Sequence, residues 1–147
     1  MVRTTRKRLK PEIQPAFRTV EIEKGMRALY LEWTVEINNM NRDQRAVFSQ
    51  SFLETLHSLY GNVMNACEFS SFWEPEKRVH YLTESIKTLE ILVTQVMTLE
   101  QMKILSAKRK VALVNKFEKL NQNLHSFRVY VDERYAKGKK KDGASAA

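Results

Sequence analysis

RTVEIEKGMRALYLEWTVEINNM, residues 18–40, is the stretch on which the fold class turns. Its apolar residues Ile22, Met26, Leu29, Trp33, Ile37 and Met40 recur every three or four positions, the spacing that lines one stripe of a helix. The same rhythm returns three more times. Asn41 and Gln44 form an Asn-x-x-Gln capping box that opens a second helix. Its stripe runs Phe48, Phe52, Leu56, Leu59 or Tyr60, Val63 and Cys67. The segment EFSSFWEP, residues 68–75, interrupts the pattern, and Pro75 suits the first position of a third helix. Val79, Leu82, Ile86, Leu89, Val93 and Val96 carry that helix to about Thr98. Between Leu99 and Leu105 the phase is indistinct until Ser106, an N-cap for a fourth helix with Val111, Val114, Phe117, Leu120, Leu124, Phe127 and Val131 on its stripe. This last helix is expected to fray near Tyr135, where Gly138 and a lysine run begin.

Four Gly and three Pro in 147 residues leave little to break helices or shape hairpins. Four amphipathic helices of similar length, joined by short connections, bury their stripes by packing antiparallel around one core. The expected architecture is all-α, an antiparallel up-down-up-down four-helix bundle over residues 16–136, with disordered basic N- and C-terminal arms at 1–15 and 137–147.

The net charge of +8 is concentrated in the ends of the chain. Arg3, Arg6, Lys7, Arg8 and Lys10 stand against Glu12 at the start, and Arg134, Lys137, Lys139, Lys140 and Lys141 against Asp142 at the finish, a net of +4 each. The stretch between, 16–133, holds fifteen basic and fifteen acidic residues. A neutral body with a cationic arm at each end suits a polyanion, whose condensed counterions mobile Lys and Arg displace. The plainer reading is a pair of solvated tails that keep the protein in solution. No apolar run approaches the ~18 residues of a membrane span. Cys67, the single cysteine, has no internal disulfide partner, so a reducing cytoplasmic setting is expected.

Three stretches resemble a known group of small four-helix bundle proteins. The group includes the accessory variability determinant of diversity-generating retroelements and the proteins encoded in ribosomal RNA intervening sequences. The stretches are MNRDQRAVFSQ at 40–50, RVHYLTESIKTLEIL at 78–92, and ILS at 104–106 followed by VNKFEKLNQNL at 114–124. Where the family's last helix often has small residues and then a tryptophan, this chain has His125, Ser126, Phe127 and Arg128. The resemblance implies a partner of a reverse transcriptase that binds template RNA, or an RNA/DNA hybrid, during mutagenic copying. It also implies a ring-like homopentamer with positive charge on its outer or lateral surface.

Lys108, Arg109 and Lys110 open the fourth helix, with Lys116 and Lys119 beyond them. Three cations in a first turn oppose the positive end of the helix dipole, so compensation is expected from a phosphate backbone or from an acidic surface on another subunit. Glu21, Glu23, Glu32 and Glu36 make the first helix acidic and suited to the second role. The leading expectation is a non-catalytic nucleic-acid-binding protein whose phosphate contacts come from Arg3, Arg6, Lys7, Arg8, Lys10, Lys108, Arg109, Lys110, Lys116, Lys137, Lys139, Lys140 and Lys141. The alternative is a homo-oligomeric protein–protein scaffold, without direct nucleic-acid binding, in which first-helix and fourth-helix charges pair between subunits.

Phe69, Phe72 and Trp73 in the linker either stack on unpaired bases, dock a partner, or fold back over the bundle end. Glu54 and His57 form one Glu-x-x-His where a di-metal bundle needs two. His80 and His125 read as boundary residues, and Cys67 as core. No glycine-rich phosphate loop, nucleophile elbow or metal-ligand spacing is present, so neither an enzyme nor a cofactor is expected.

Overall fold

A computed structural model describes the backbone of residues 19–68 and 75–146, and the side chains of 19–68 and 76–134. It contains α1 (Thr19–Asn38), α2 (Arg42–Glu68), α3 (Pro75–Gln101) and α4 (Ala107–Ala146), with no strand among the described residues. Each helix packs against its neighbour in sequence, and α1 closes the ring against α4. The fold is therefore the antiparallel four-helix bundle that the periodicity implies. The N-terminal arm and the aromatics Phe69, Phe72 and Trp73 lie outside the described residues.

The helix boundaries follow local chemistry. At the start of α2, Gln44 donates its N–H to the Asn41 side chain at 2.9 Å and Asn41 returns its own to Gln44 Oε1 at 3.0 Å, a reciprocal capping box. Ser106 Oγ accepts from the Arg109 N–H at 3.1 Å and caps α4 in the same way. The indistinct stretch after Leu99 is a Schellman stop. Lys103, at φ 63°, turns the chain left-handed, and the Ile104 and Lys103 N–H groups donate back to Leu99 and Glu100 carbonyls, each at 2.9 Å. This stop places the end of α3 at Gln101, three residues beyond the expected Thr98.

The core is one continuous apolar seam in which Trp33 packs between Phe52 and Phe117. Every expected core residue of α1 is buried, and so are Phe52, Leu56, Leu59, Val63 and Cys67 of α2. Two parts of the expected seam differ. In α3 the innermost line is Arg78, Leu82, Ser85, Leu89, Leu92, Val96 and Leu99, while Val79 and Val93 flank it half-buried. In α4 the line is Leu113, Phe117, Leu120, Leu124, Phe127 and Val131, with Val114 half-buried beside it and Val111 51% exposed. Both lines alternate steps of four and three, the seven-residue repeat of helices packed knobs into holes, and that repeat skips the richest apolar spacing. Ser85 is accommodated there because its hydroxyl donates to the Tyr81 carbonyl at 2.7 Å.

The last helix also differs, continuing to Ala146 past the Tyr135 at which it was expected to fray. Ala and Lys are good helix formers, and Gly138 and Gly143 each cost only about 1 kcal/mol against Ala without breaking the backbone ladder.

Candidate nucleic-acid interface

Thirteen cations were expected to hold phosphate, and the fold separates them into three groups. Arg3, Arg6, Lys7, Arg8 and Lys10 lie outside the described residues. Lys137, Lys139, Lys140 and Lys141 ride on the terminal turns of α4, of which the backbone alone is described. Lys108, Arg109, Lys110 and Lys116 sit on the first three turns of α4, at the opposite end of the bundle from those lysines.

Compensation for this last group comes from within the chain. Arg109 spans two carboxylates of α1: its Nε and Nη2 engage Glu36, and Nη2 lies 3.7 Å from Glu32. Lys116 pairs with the other oxygen of Glu32. Lys110 lies 3.7 Å from Glu100 near the end of α3. For Arg109, Lys110 and Lys116 an acidic surface is already supplied by the folded chain. For Arg109 and Lys116 it is the first helix, brought alongside the fourth by bundle closure. The sequence carried part of the signal, since the first and last helices of an up-down-up-down bundle are neighbours; which charges meet across their seam is set by its register. Lys108 is exposed and makes no ion pair among the described residues.

The far end of the bundle is organised differently. There α2, α3 and α4 meet at Arg78, a nine-tenths buried arginine that polarity hid from the sequence reading. Its Nε donates to the Ala66 carbonyl at 2.9 Å, in the last turn of α2, and its charge lies 5.0 Å above the Phe127 ring of α4. The carbonyl end of α2 and the ring face both favour a cation. Burial holds its pKa below the ordinary arginine range, against the opposing pull of Cys67 and Tyr130. Beside it, Cys67 Sγ lies 4.0 Å from the Thr19 carbonyl at the start of α1. Burial pushes the Cys67 thiol up to about 12, with Glu23 adding to the rise, so at neutral pH it is an inert part of the core.

His80 and His125 are exposed, and His57 Nε2 shares a 2.8 Å hydrogen bond with the Tyr30 hydroxyl under stacked rings. Among the described residues no group of three or more His, Cys, Asp or Glu side chains is placed to hold a metal ion. A small pocket at the opposite end, lined by Glu36, Met40, Leu99 and Leu105 among others, has room for a few water molecules. No described helix is long and apolar enough to cross a membrane.

Fold and charge together define a small helical bundle with a neutral body and cationic termini. No protein-family model, curated protein or solved structure matches the chain. Its own residues therefore carry the functional reading.

Proposed function

We propose that this chain is a non-catalytic accessory protein that binds template RNA, or an RNA/DNA hybrid, and a reverse transcriptase that performs the chemistry. This is the role implied by the resemblance to the diversity-generating retroelement determinant. One observation supports it most directly: both cationic segments attach at the same end of the bundle. Thr19, where α1 begins, lies against Cys67. The α2 end beside it is tied through Arg78 to Phe127, after which α4 runs on to Ala146. Each segment adds +4 in sequence, and the described helices to which they connect share one end of the bundle, where α1 begins and α4 leaves it. Clustered charge raises the local concentration of a polyanion and lets two weak contacts act as one. Phosphate contacts in this reading come from Arg3, Arg6, Lys7, Arg8, Lys10, Lys137, Lys139, Lys140 and Lys141.

Salt dependence tests it. Each phosphate neutralised steepens the fall of log Kobs with log salt by about 0.7 for single strands and 0.9 for duplex. Replacing Lys137, Lys139, Lys140 and Lys141 with Gln is expected to flatten the slope by about 3. Binding to a structured RNA that is unchanged between about 0.05 and 0.2 M salt would reject the proposal.

A scaffold role has separate support. Leu31 and Val35, one turn apart, are exposed on the outward side of α1, a short apolar strip that suits self-association into the homo-oligomer, pentameric by the same resemblance. Native mass spectrometry of Leu31→Glu reads this directly: loss of an assembly that the unmodified chain forms supports the strip as its contact.

A further inference from the structure

We propose that Glu32 and Glu36 occupy on α4 the place that phosphates of a polyanion would take, so that the α1/α4 flank is a second anion-binding surface masked by the chain itself. The inference rests on the proposed binding of a nucleic acid but concerns a different face of the molecule. Its basis is the asymmetry of the ion pairs. The carboxylates are the recessed members, with Glu36 side-chain exposure at 11% and Glu32 at 19%, while Arg109 and Lys116 stand outside them at 45% and 49%. The cations are therefore reachable from solvent and already neutralised from behind. Lys108 and Lys119, both exposed and without an ion pair among the described residues, continue the same ridge. At 3.6 residues per turn the four cations fall within roughly a 100° sector of α4, over ~16 Å of its length.

A phosphate approaching Arg109 or Lys116 meets a cation whose field is cancelled by a carboxylate in contact with it. It also meets repulsion from that carboxylate. Glu32 and Glu36, held on a rigid helix with their surroundings already dehydrated, have the advantage over a polymer phosphate that must give up water and freedom to compete. The flank consequently rejects polyanions while those two charges stand. Binding is directed to the pole where the arms attach, and the ends of the molecule rather than its side set how it lies on a nucleic acid.

The test uses the full chain and a synthetic RNA hairpin. Glu32→Gln with Glu36→Gln is expected to bind the hairpin more tightly than the unmodified chain, with a log–log salt slope steeper by about 1 to 2, the signature of two further phosphates. Arg109→Gln with Lys116→Gln is expected to leave the salt slope unchanged in the original background, since no phosphate is held there, and to abolish the gain in slope in the Glu-to-Gln background. An unchanged slope in the folded Glu-to-Gln variant overturns the proposal. So does a shallower salt slope on replacing Arg109 and Lys116 alone, a measurement that decides the matter even if the Glu-to-Gln variant does not fold. An unmodified chain that binds no RNA rejects the proposed function instead; the masked surface then stands or falls on whether the Glu-to-Gln variant acquires binding.

Discussion

Lys103 occupies the position after α3 where a left-handed turn is required, with φ at 63°. An L-residue with a Cβ pays about 1–2 kcal/mol there, and the greater freedom of an unfolded glycine offsets about 0.4–1 of any gain on replacement. Lys103→Gly is accordingly expected to stabilise the protein by up to about 1 kcal/mol, seen as a higher urea midpoint at unchanged slope. A lower midpoint would mean that the lysine stem makes a contact worth more than the strain. Cys67 supplies the pH dependence at this scale. Its folded pKa of about 12 exceeds the ordinary value of 9.0, so the unfolded chain releases the thiol proton first. The contribution to stability is complete below pH 9 and is lost as pH rises from 9 toward 12. Across that window the melting temperature of Cys67→Ala is expected to fall less steeply than that of the unmodified chain, and equal slopes would contradict the assignment.

Among the helices, α3 and α4 show how register is settled. In α3, Leu82, Ile86, Leu89, Val93 and Val96 compete with the heptad line through Leu92 and Leu99, and the two lines share three residues. The interface selects the heptad because facing helices interlock best on a 3.5-residue repeat, even though this draws in Arg78 and Ser85. One substitution on each helix reads its register. Leu92→Ala is expected to cost about 2–5 kcal/mol through an unfilled space in the core, whereas Val111→Ala, on the exposed side of α4, falls within about 0.5 kcal/mol of zero. Comparable losses from the two would return Val111 to the core.

At the scale of the whole molecule, α1 is the shortest helix, 20 residues against 27 for α2 and α3, and its seam with α4 is closed partly by exposed ion pairs. Such pairs contribute about 0–1 kcal/mol each and are screened by salt. Hydrogen exchange is therefore expected to be faster in α1 than in the middle of α3, and to accelerate further in α1 as salt rises. Slowest exchange in α1 would show its apolar stripe to dominate. Helix number, the Asn41 and Ser106 caps, the start at Pro75 and the whole stripe of α1 were legible along the chain, since each depends on residues within a few turns of one another. The choice of Leu113 over Val111, the burial of Arg78 and the pairing of Arg109 and Lys116 with Glu36 and Glu32 were not. Those ion pairs join residues 73 and 84 positions apart, and which partner a charge meets is decided only when four helices close into a ring. Local spacing governs what becomes helix; long-range packing governs which side of each helix is dry and which charges remain for a ligand.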